Sequence, residues 1–181
     1  MARIVLITGG CRSGKSDHAQ QLAESLQGRR VYVATCPITD DEMKQRIEQH
    51  QQRRRGRGWE TIEEQLDLGG AIRRCRDYDV VLVDCLTLWI NNLMFEAGTR
   101  GHTIDEQQIE SAAAEVLEAC NEHGGTIICV SNEVGTGIVP LDAVSRRYRD
   151  LVGRLNQLMA AAADEVTLLT CGIPLALKTG T

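Results

Sequence analysis

The sequence predicts an α/β fold, a mostly parallel sheet with helices on both faces, and three observations carry that expectation. Short apolar runs of strand length alternate with longer helix-like segments along the 181 residues, the order that builds a parallel sheet through crossover helices. A glycine-rich stretch lies directly between the first apolar run and the first helical segment. Aromatic residues make up only 3% of the chain, so the core must be packed from Val, Ile, Leu and Ala, the residues of sheets buried on both faces.

Taken in order, residues 3–8 (Arg-Ile-Val-Leu-Ile-Thr) form the first strand, and the segment after the glycine stretch is helical to about Leu26. A second strand is expected at 31–35. Asp40, Asp41 and Glu42 then open a helix whose far end is basic, an order that complements the helix dipole. Further strands are expected at 79–84, 126–131 and 165–170, with helical segments between them. Residues 104–123 and 141–163 are the clearest of the later helices. The Gly/Arg stretch 55–58 and the stretch 98–101 read as surface loops. With neither an internal repeat nor an interdomain linker, residues 1–181 are expected to form a single domain.

Composition narrows the function. A formal charge of −5 argues against a general nucleic-acid binder, whose footprint is a basic surface, so any phosphate affinity must be local. Arg53, Arg54, Arg55 and Arg57 form one basic cluster, read either as a phosphate contact or as a solvated helix end. The seven cysteines (11, 36, 75, 85, 120, 129 and 171) contain no C-x-x-C pair and no zinc-type spacing. Their odd number and the lack of a signal peptide point to free thiols in a reducing cytoplasm. No purely aliphatic run is longer than residues 80–83, so no membrane span is expected.

The chemistry centres on Gly9-Gly10-Cys11-Arg12-Ser13-Gly14-Lys15-Ser16, which matches G-x-x-x-x-G-K-[ST]. In that pattern backbone N–H groups wrap phosphate oxygens, the lysine reaches the terminal phosphates and the hydroxyl ligates Mg²⁺. A strand before it and a helix after it make this a P-loop, and the fold class a P-loop NTPase of RecA-like type. Lys15 is assigned to the β/γ-phosphates and Ser16 to the metal, with Arg12 and Ser13 adding donors. A P-loop protein also needs a carboxylate at the end of a neighbouring strand, and Val-Val-Leu-Val-Asp84 supplies it for Mg²⁺ or its waters. An Asp at that point is equally a helix cap.

Met43, Ile47 and His50 share a helix face by their spacing. His50 reads either as a hydrogen-bonded core histidine or as a nucleophile, since Arg46, Arg53 and Arg54 would favour the neutral imidazole that attacks phosphorus. The glycine-rich stretch 132–140 follows the fourth strand, where open α/β sheets carry ligand loops, and also fits a structural crossover. Arg146, Arg147, Arg149 and Arg154 fit either solvent or a neighbouring subunit.

T-G-G-C-R-S-G-K-S, D-D-E-M-K-Q-R-I-E-Q-H, V-D-C-L-T-L-W, S-N-E-V-G-T-G-I-V-P and L-N-Q-L-M-A-A-A-A-D-E-V follow one another in this order. As a set they resemble the bifunctional adenosylcobinamide kinase/adenosylcobinamide-phosphate guanylyltransferase family of cobalamin synthesis. The resemblance spans nearly the whole chain; the stretch 98–104 and the tail after Gly172 look individual, and Cys11 stands where the family more often has Ala. It implies phosphorylation of the aminopropanol hydroxyl of adenosylcobinamide by ATP or GTP. GMP is then transferred from GTP to that phosphate, with release of pyrophosphate, through a guanylylated histidine. The R-I-x-x-H pattern makes that histidine His50. The same resemblance implies nucleotide contacts from Gly9 to Ser16 and from Ala34, Thr35, Cys36, Gln51, Gln52, Arg53, Arg54, Glu63 and Asp84. It also implies Mg²⁺, a corrinoid substrate and a homotrimer with active sites near its subunit interfaces. The base of the kinase step stays unassigned. A single-activity kinase with a structural His50, and a P-loop ATPase switch module, are the competing readings.

Overall fold

A computed structural model of the protein describes residues 2–37, Gln45, Glu48, Gln51, Gln52 and residues 54–180. The expected helix opening at Asp40, Asp41 and Glu42, and with it Met43, Arg46, Ile47, His50 and Arg53, lies outside the described residues.

The chain begins with strand β1 (Arg3–Gly9) and helix α1 (Lys15–Ser25). Two strands follow, β2 (Arg30–Ala34) and β3 (Trp59–Glu63), and then helix α2 (Leu68–Arg74). Strand β4 (Val80–Asp84) leads into helices α3 (Leu86–Thr99) and α4 (Glu106–Glu122). After β5 (Thr126–Val130) come α5 (Ala143–Ala162), β6 (Glu165–Thr170) and β7 (Ile173–Lys178). The strands form one sheet in the order β3-β2-β4-β5-β1-β6-β7, parallel from β3 through β6 and antiparallel only at β7.

The central strands are buried at nearly every position, and successive side chains point to opposite faces, so each sheet face feeds a separate core. Ile4 and Leu6 of β1 join Val81 and Val83 of β4 under α2, α3, α4 and α5, where Leu68, Ile72, Trp89, Ile109, Val116, Leu155 and Met159 close the layer. Val5, Ile7, Leu82 and Ile128 face the other way, against Ala19 and Ala23 of α1. The small residues of α1 let its backbone lie close to the sheet, which places the loop before it over the sheet's carboxyl edge. Helices therefore cover both faces, as the sequence predicts.

Helix starts are set by side-chain caps. Asp105 and Gln108 form a reciprocal capping box at α4, and the Asp142 carboxylate accepts from the Ser145 N–H at α5. These caps put the starts at Glu106 and Ala143, two residues inside the expected 104 and 141.

Three elements were not singled out by sequence. In β3, Trp-Glu-Thr-Ile-Glu exposes three of its five residues as an edge strand. In α2, seven residues include two glycines, and α2 still packs because Gly69 lies against the backbone of α4 at Glu115. In β7 every residue is exposed and Pro174 sits on an edge, where its missing N–H is tolerated. The loop expected at 98–101 needs correction: Gly98 and Thr99 complete α3, and the turn begins at Arg100.

Candidate active site

Residues 9–16 leave β1 at the carboxyl edge of the sheet and turn directly into α1. Two glycines make that turn possible. Gly9 has φ 155°, and a Cβ there would lie 2.5 Å from the Leu169 carbonyl oxygen of β6. Gly14 has φ 91° at the N-cap of α1, where no side chain caps the helix. The first-turn N–H groups of α1 are thus left to a ligand, and the helix dipole makes that ligand an anion. The Lys15 Nζ donates to the Gly10 carbonyl at 3.2 Å, folding back over the loop. Arg12 is exposed in the left-handed region at φ 56°, while the Ser13 Oγ is buried without a hydrogen-bond partner among the described residues. The β6–β7 turn supports the loop from outside, with the Gly172 N–H donating to the Ser13 carbonyl at 3.0 Å.

Sheet register aligns the remaining predicted contacts. Glu63 pairs with Ala34, Ala34 with Asp84, Asp84 with Val130 and Val130 with Ile7, one row across five strands that forms the carboxyl end of β3, β2, β4 and β5. Gly9 stands two residues beyond that row on β1. Glu63, Ala34, Asp84 and the phosphate loop therefore share one edge, although they are far apart in sequence.

Thr35, fully buried, ties the ends of β2 and β4 together. Its hydroxyl donates to the Cys85 carbonyl and accepts from the Cys85 N–H, both at 2.8 Å, while the Asn92 amide donates to the Thr35 carbonyl at 2.7 Å. Burial pushes the Cys85 thiol up to about 11, helped by the charge of Asp84. Beside them Tyr32 is hydrogen-bonded to Asp84, and burial, then the carboxylate's charge, hold its phenol protonated well above the ordinary tyrosine range. The Arg54 guanidinium lies over the Tyr32 ring with its carbon 3.5 Å from the centroid, only 5% exposed. Its Nε and Nη1 have no hydrogen-bond partner among the described residues. Arg54 is thus a buried residue of the site, whereas Arg55 and Arg57 are exposed, and Arg57 pairs with Glu24. Gln51 and Gln52 are helical and exposed.

A second network stands at the other side of the loop. The Glu133 N–H donates to the Gly9 carbonyl at 3.1 Å, and its Oε1 accepts from the Thr8 hydroxyl at 2.8 Å and from the Asn156 amide at 3.3 Å. The Asn156 amide also reaches the Asn132 carbonyl at 3.0 Å. The stretch 132–140 therefore leaves β5 bonded to the phosphate loop. Of the four arginines whose surroundings were open, Arg154 pairs with Glu106 and Glu110 of α4, and Arg146 donates to the carbonyls of Pro140 and Leu141.

Ser16 and Asp84 offer a hydroxyl and a carboxylate, the hard oxygen donors that suit Mg²⁺. Among the described residues no group of three or more His, Cys, Asp or Glu could hold a metal by itself. A sparse donor set of this kind fits Mg²⁺, which is commonly held by one or two protein ligands together with substrate phosphates.

No disulfide joins any of the seven cysteines, in line with the thiols expected from sequence. Among the described residues no helix is long and apolar enough to cross a membrane. Sequence reasoning missed Tyr32, Thr8, Glu133, Asn92 and Asn156. The string Ser-Asn-Glu directly after β5 was a signal for one of them, since its side chains had to fall beside the P-loop if β5 neighboured β1.

Similar proteins sharpen this picture. The chain is 39% identical over 182 residues to the bifunctional adenosylcobalamin biosynthesis protein CobU of Escherichia coli, covering 97% of this chain and 99% of the relative. It is 41% identical over 179 residues to the bifunctional adenosylcobalamin biosynthesis protein CobP of Pseudomonas aeruginosa, covering 96% of each. A relative named as CobU from Salmonella typhimurium is 39% identical over 186 residues, covering 97% of this chain and 99% of its own. A family model described as cobinamide kinase / cobinamide phosphate guanyltransferase matches residues 5–177, and with a phosphate loop at β1 and its predicted partners along one sheet edge, the chain belongs to that family.

Proposed function

We propose that this chain phosphorylates the aminopropanol hydroxyl of adenosylcobinamide with ATP or GTP. It then transfers GMP from GTP to the new phosphate through a guanylylated His50, giving adenosyl-GDP-cobinamide and pyrophosphate. The uncapped start of α1 behind Gly14 carries this reading, because it offers one triphosphate cradle to both reactions in a chain of the kinase/guanyltransferase family.

In the kinase step the substrate oxygen bonds to the γ-phosphorus while the bond from that phosphorus to the β–γ bridging oxygen breaks, leaving a nucleoside diphosphate. Amides of residues 9–16 and Lys15 hold the phosphates in line and offset the developing charge. Ser16 and Asp84 would hold Mg²⁺, which when bound neutralises phosphate charge. In guanylyl transfer the same cradle holds GTP, and His50 attacks the α-phosphorus with pyrophosphate leaving. Thr35, Arg54 and Asp84, expected to contact the nucleotide, are held with Tyr32 in one bonded and stacked group at the ends of β2 and β4.

A homotrimer with active sites near its subunit interfaces belongs to the same reading. Ile138, Leu141 and Val144 are apolar and strongly exposed, surface that such an interface would cover. Use of ATP and GTP supports a cytoplasmic setting.

The test is direct. Purified protein incubated with adenosylcobinamide and GTP should yield the phosphate ester and then the GDP-linked corrinoid, followed by mass. Hydrolysis of nucleotide with the corrinoid unchanged would contradict the reading.

A further inference from the structure

The kinase step needs a group to take the hydroxyl proton, and among the described residues the carboxyl edge of the sheet holds few carboxylates. Neighbouring strands lie about 4.8 Å apart, so each step across the sheet order removes a side chain from the loop by roughly that distance. Glu63, on β3, is four strands from β1. Asp84, on β4, is two strands away and is hydrogen-bonded to Tyr32. Glu133 follows β5, the strand directly beside β1, and its N–H is bonded to the carbonyl of Gly9, the first residue of the phosphate loop.

The two oxygens of Glu133 differ. Oε1 is anchored by the Thr8 hydroxyl and the Asn156 amide. Oε2 has no hydrogen bond among the described residues, and Glu133 is half-buried. A carboxylate beside a bound triphosphate is repelled by it, so this charge does not serve nucleotide affinity. A fixed side chain with one free acceptor oxygen is instead what proton transfer from a positioned hydroxyl requires.

We propose that Glu133 is the proton acceptor of the kinase step. As the substrate oxygen bonds to the γ-phosphorus, its proton passes to Oε2 of Glu133, and the pair of the breaking phosphorus–oxygen bond stays on the departing diphosphate. Guanylyl transfer has no such demand, because its final acceptor is a phosphate that is already an anion. The proposal rests on the bifunctional reading above, and it separates the two activities.

The experiment measures both reactions in Glu133→Gln and Glu133→Asp proteins. Gln keeps an oxygen that accepts from Thr8 and Asn156, so the tether to the loop persists while the proton acceptor is lost. Kinase turnover on adenosylcobinamide should fall by about 100-fold or more, the usual scale of general-base catalysis, with KM for the nucleotide nearly unchanged. Covalent labelling by GTP, and GMP transfer to adenosylcobinamide phosphate, should stay within roughly 3-fold of wild type. Glu133→Asp, which keeps a retracted carboxylate, should recover part of the kinase rate. Kinase turnover of the Gln protein within roughly 3-fold of wild type overturns the proposal, and so does a parallel loss of both reactions in the Gln and Asp proteins, which marks a purely structural residue. A wild-type chain that forms no phosphate ester removes the bifunctional reading and this proposal together.

Discussion

Thr35 and Cys85 bond each other twice, the threonine hydroxyl donating to the Cys85 carbonyl and accepting from the Cys85 N–H at the same 2.8 Å. Because these residues directly follow the paired Ala34 and Asp84, the two bonds hold the ends of β2 and β4 as one unit. Thr35→Val keeps the shape and leaves the buried Cys85 N–H unpaired, while the Cys85 carbonyl keeps its bond from the Trp89 N–H at 3.2 Å. Its stability should fall by about 1–3 kcal/mol, read by denaturant titration. A midpoint unchanged from wild type would show that the pair contributes little.

Lys15→Ala should abolish kinase and guanylyl-transfer activities together, since one loop seats the triphosphate for both. Among the described residues the Lys15 side chain bonds the Gly10 carbonyl and no other group, and it is not part of the core, so the variant should melt close to wild type. Near-normal turnover in either reaction would separate the two sites.

Asp84→Asn should leave the fold intact, because the amide oxygen still accepts a bond from Tyr32, while activity falls and the Mg²⁺ requirement shifts to higher concentration. The readout is rate against Mg²⁺ in both proteins. An unchanged dependence would remove Asp84 from the metal's surroundings.

Thiol accessibility tests the loop without an activity assay. Burial pushes Cys75 and Cys85 up to about 11 and Cys120 up to about 12, and Cys129 is fully buried, whereas Cys11 and Cys171 are exposed. Since the thiolate is the reactive form, brief alkylation near pH 7.5 should modify Cys11 and Cys171 and spare the four buried thiols. ATP or GTP should protect Cys11. Equal labelling of Cys11 with and without nucleotide would argue against phosphate binding at residues 9–16.

Much of this architecture is legible in sequence where one physical signal dominates. The P-loop is the clearest case, because Gly9 and Gly14 adopt backbone conformations that other residues resist, so the chemistry shows through residue type. Strands β1 and β4 are similarly plain, being built on continuous apolar runs. The edge strands β3 and β7 were hidden, since exposed strands need no apolar alternation and β7 even carries a proline. Tyr32 and Glu133 were hidden for a different reason. Their partners Asp84 and Thr8 are distant in sequence, and only the order β2-β4-β5-β1 brings them together. Arg54 shows the limit of charge patterning, since one member of an arginine run is stacked and buried while Arg55 and Arg57 face solvent.

The central claim, that guanylyl transfer passes through His50, is tested most directly by labelling. Of the four histidines, His123 is already excluded by its bonds, as one ring nitrogen accepts from the Gly125 N–H and the other faces the Cys75 carbonyl, both at 3.0 Å. An imidazole nitrogen attacking the α-phosphorus of GTP expels pyrophosphate and leaves a phosphoramidate, stable in alkali and labile in acid. Protein incubated with GTP labelled in the α-phosphate should carry that bond, with the label mapping by peptide mass to the segment containing His50. His50→Ala should lose the label and guanylyl transfer while still phosphorylating adenosylcobinamide. A label that persists in a folded His50→Ala protein, or that maps to His18 or His102, would contradict the account.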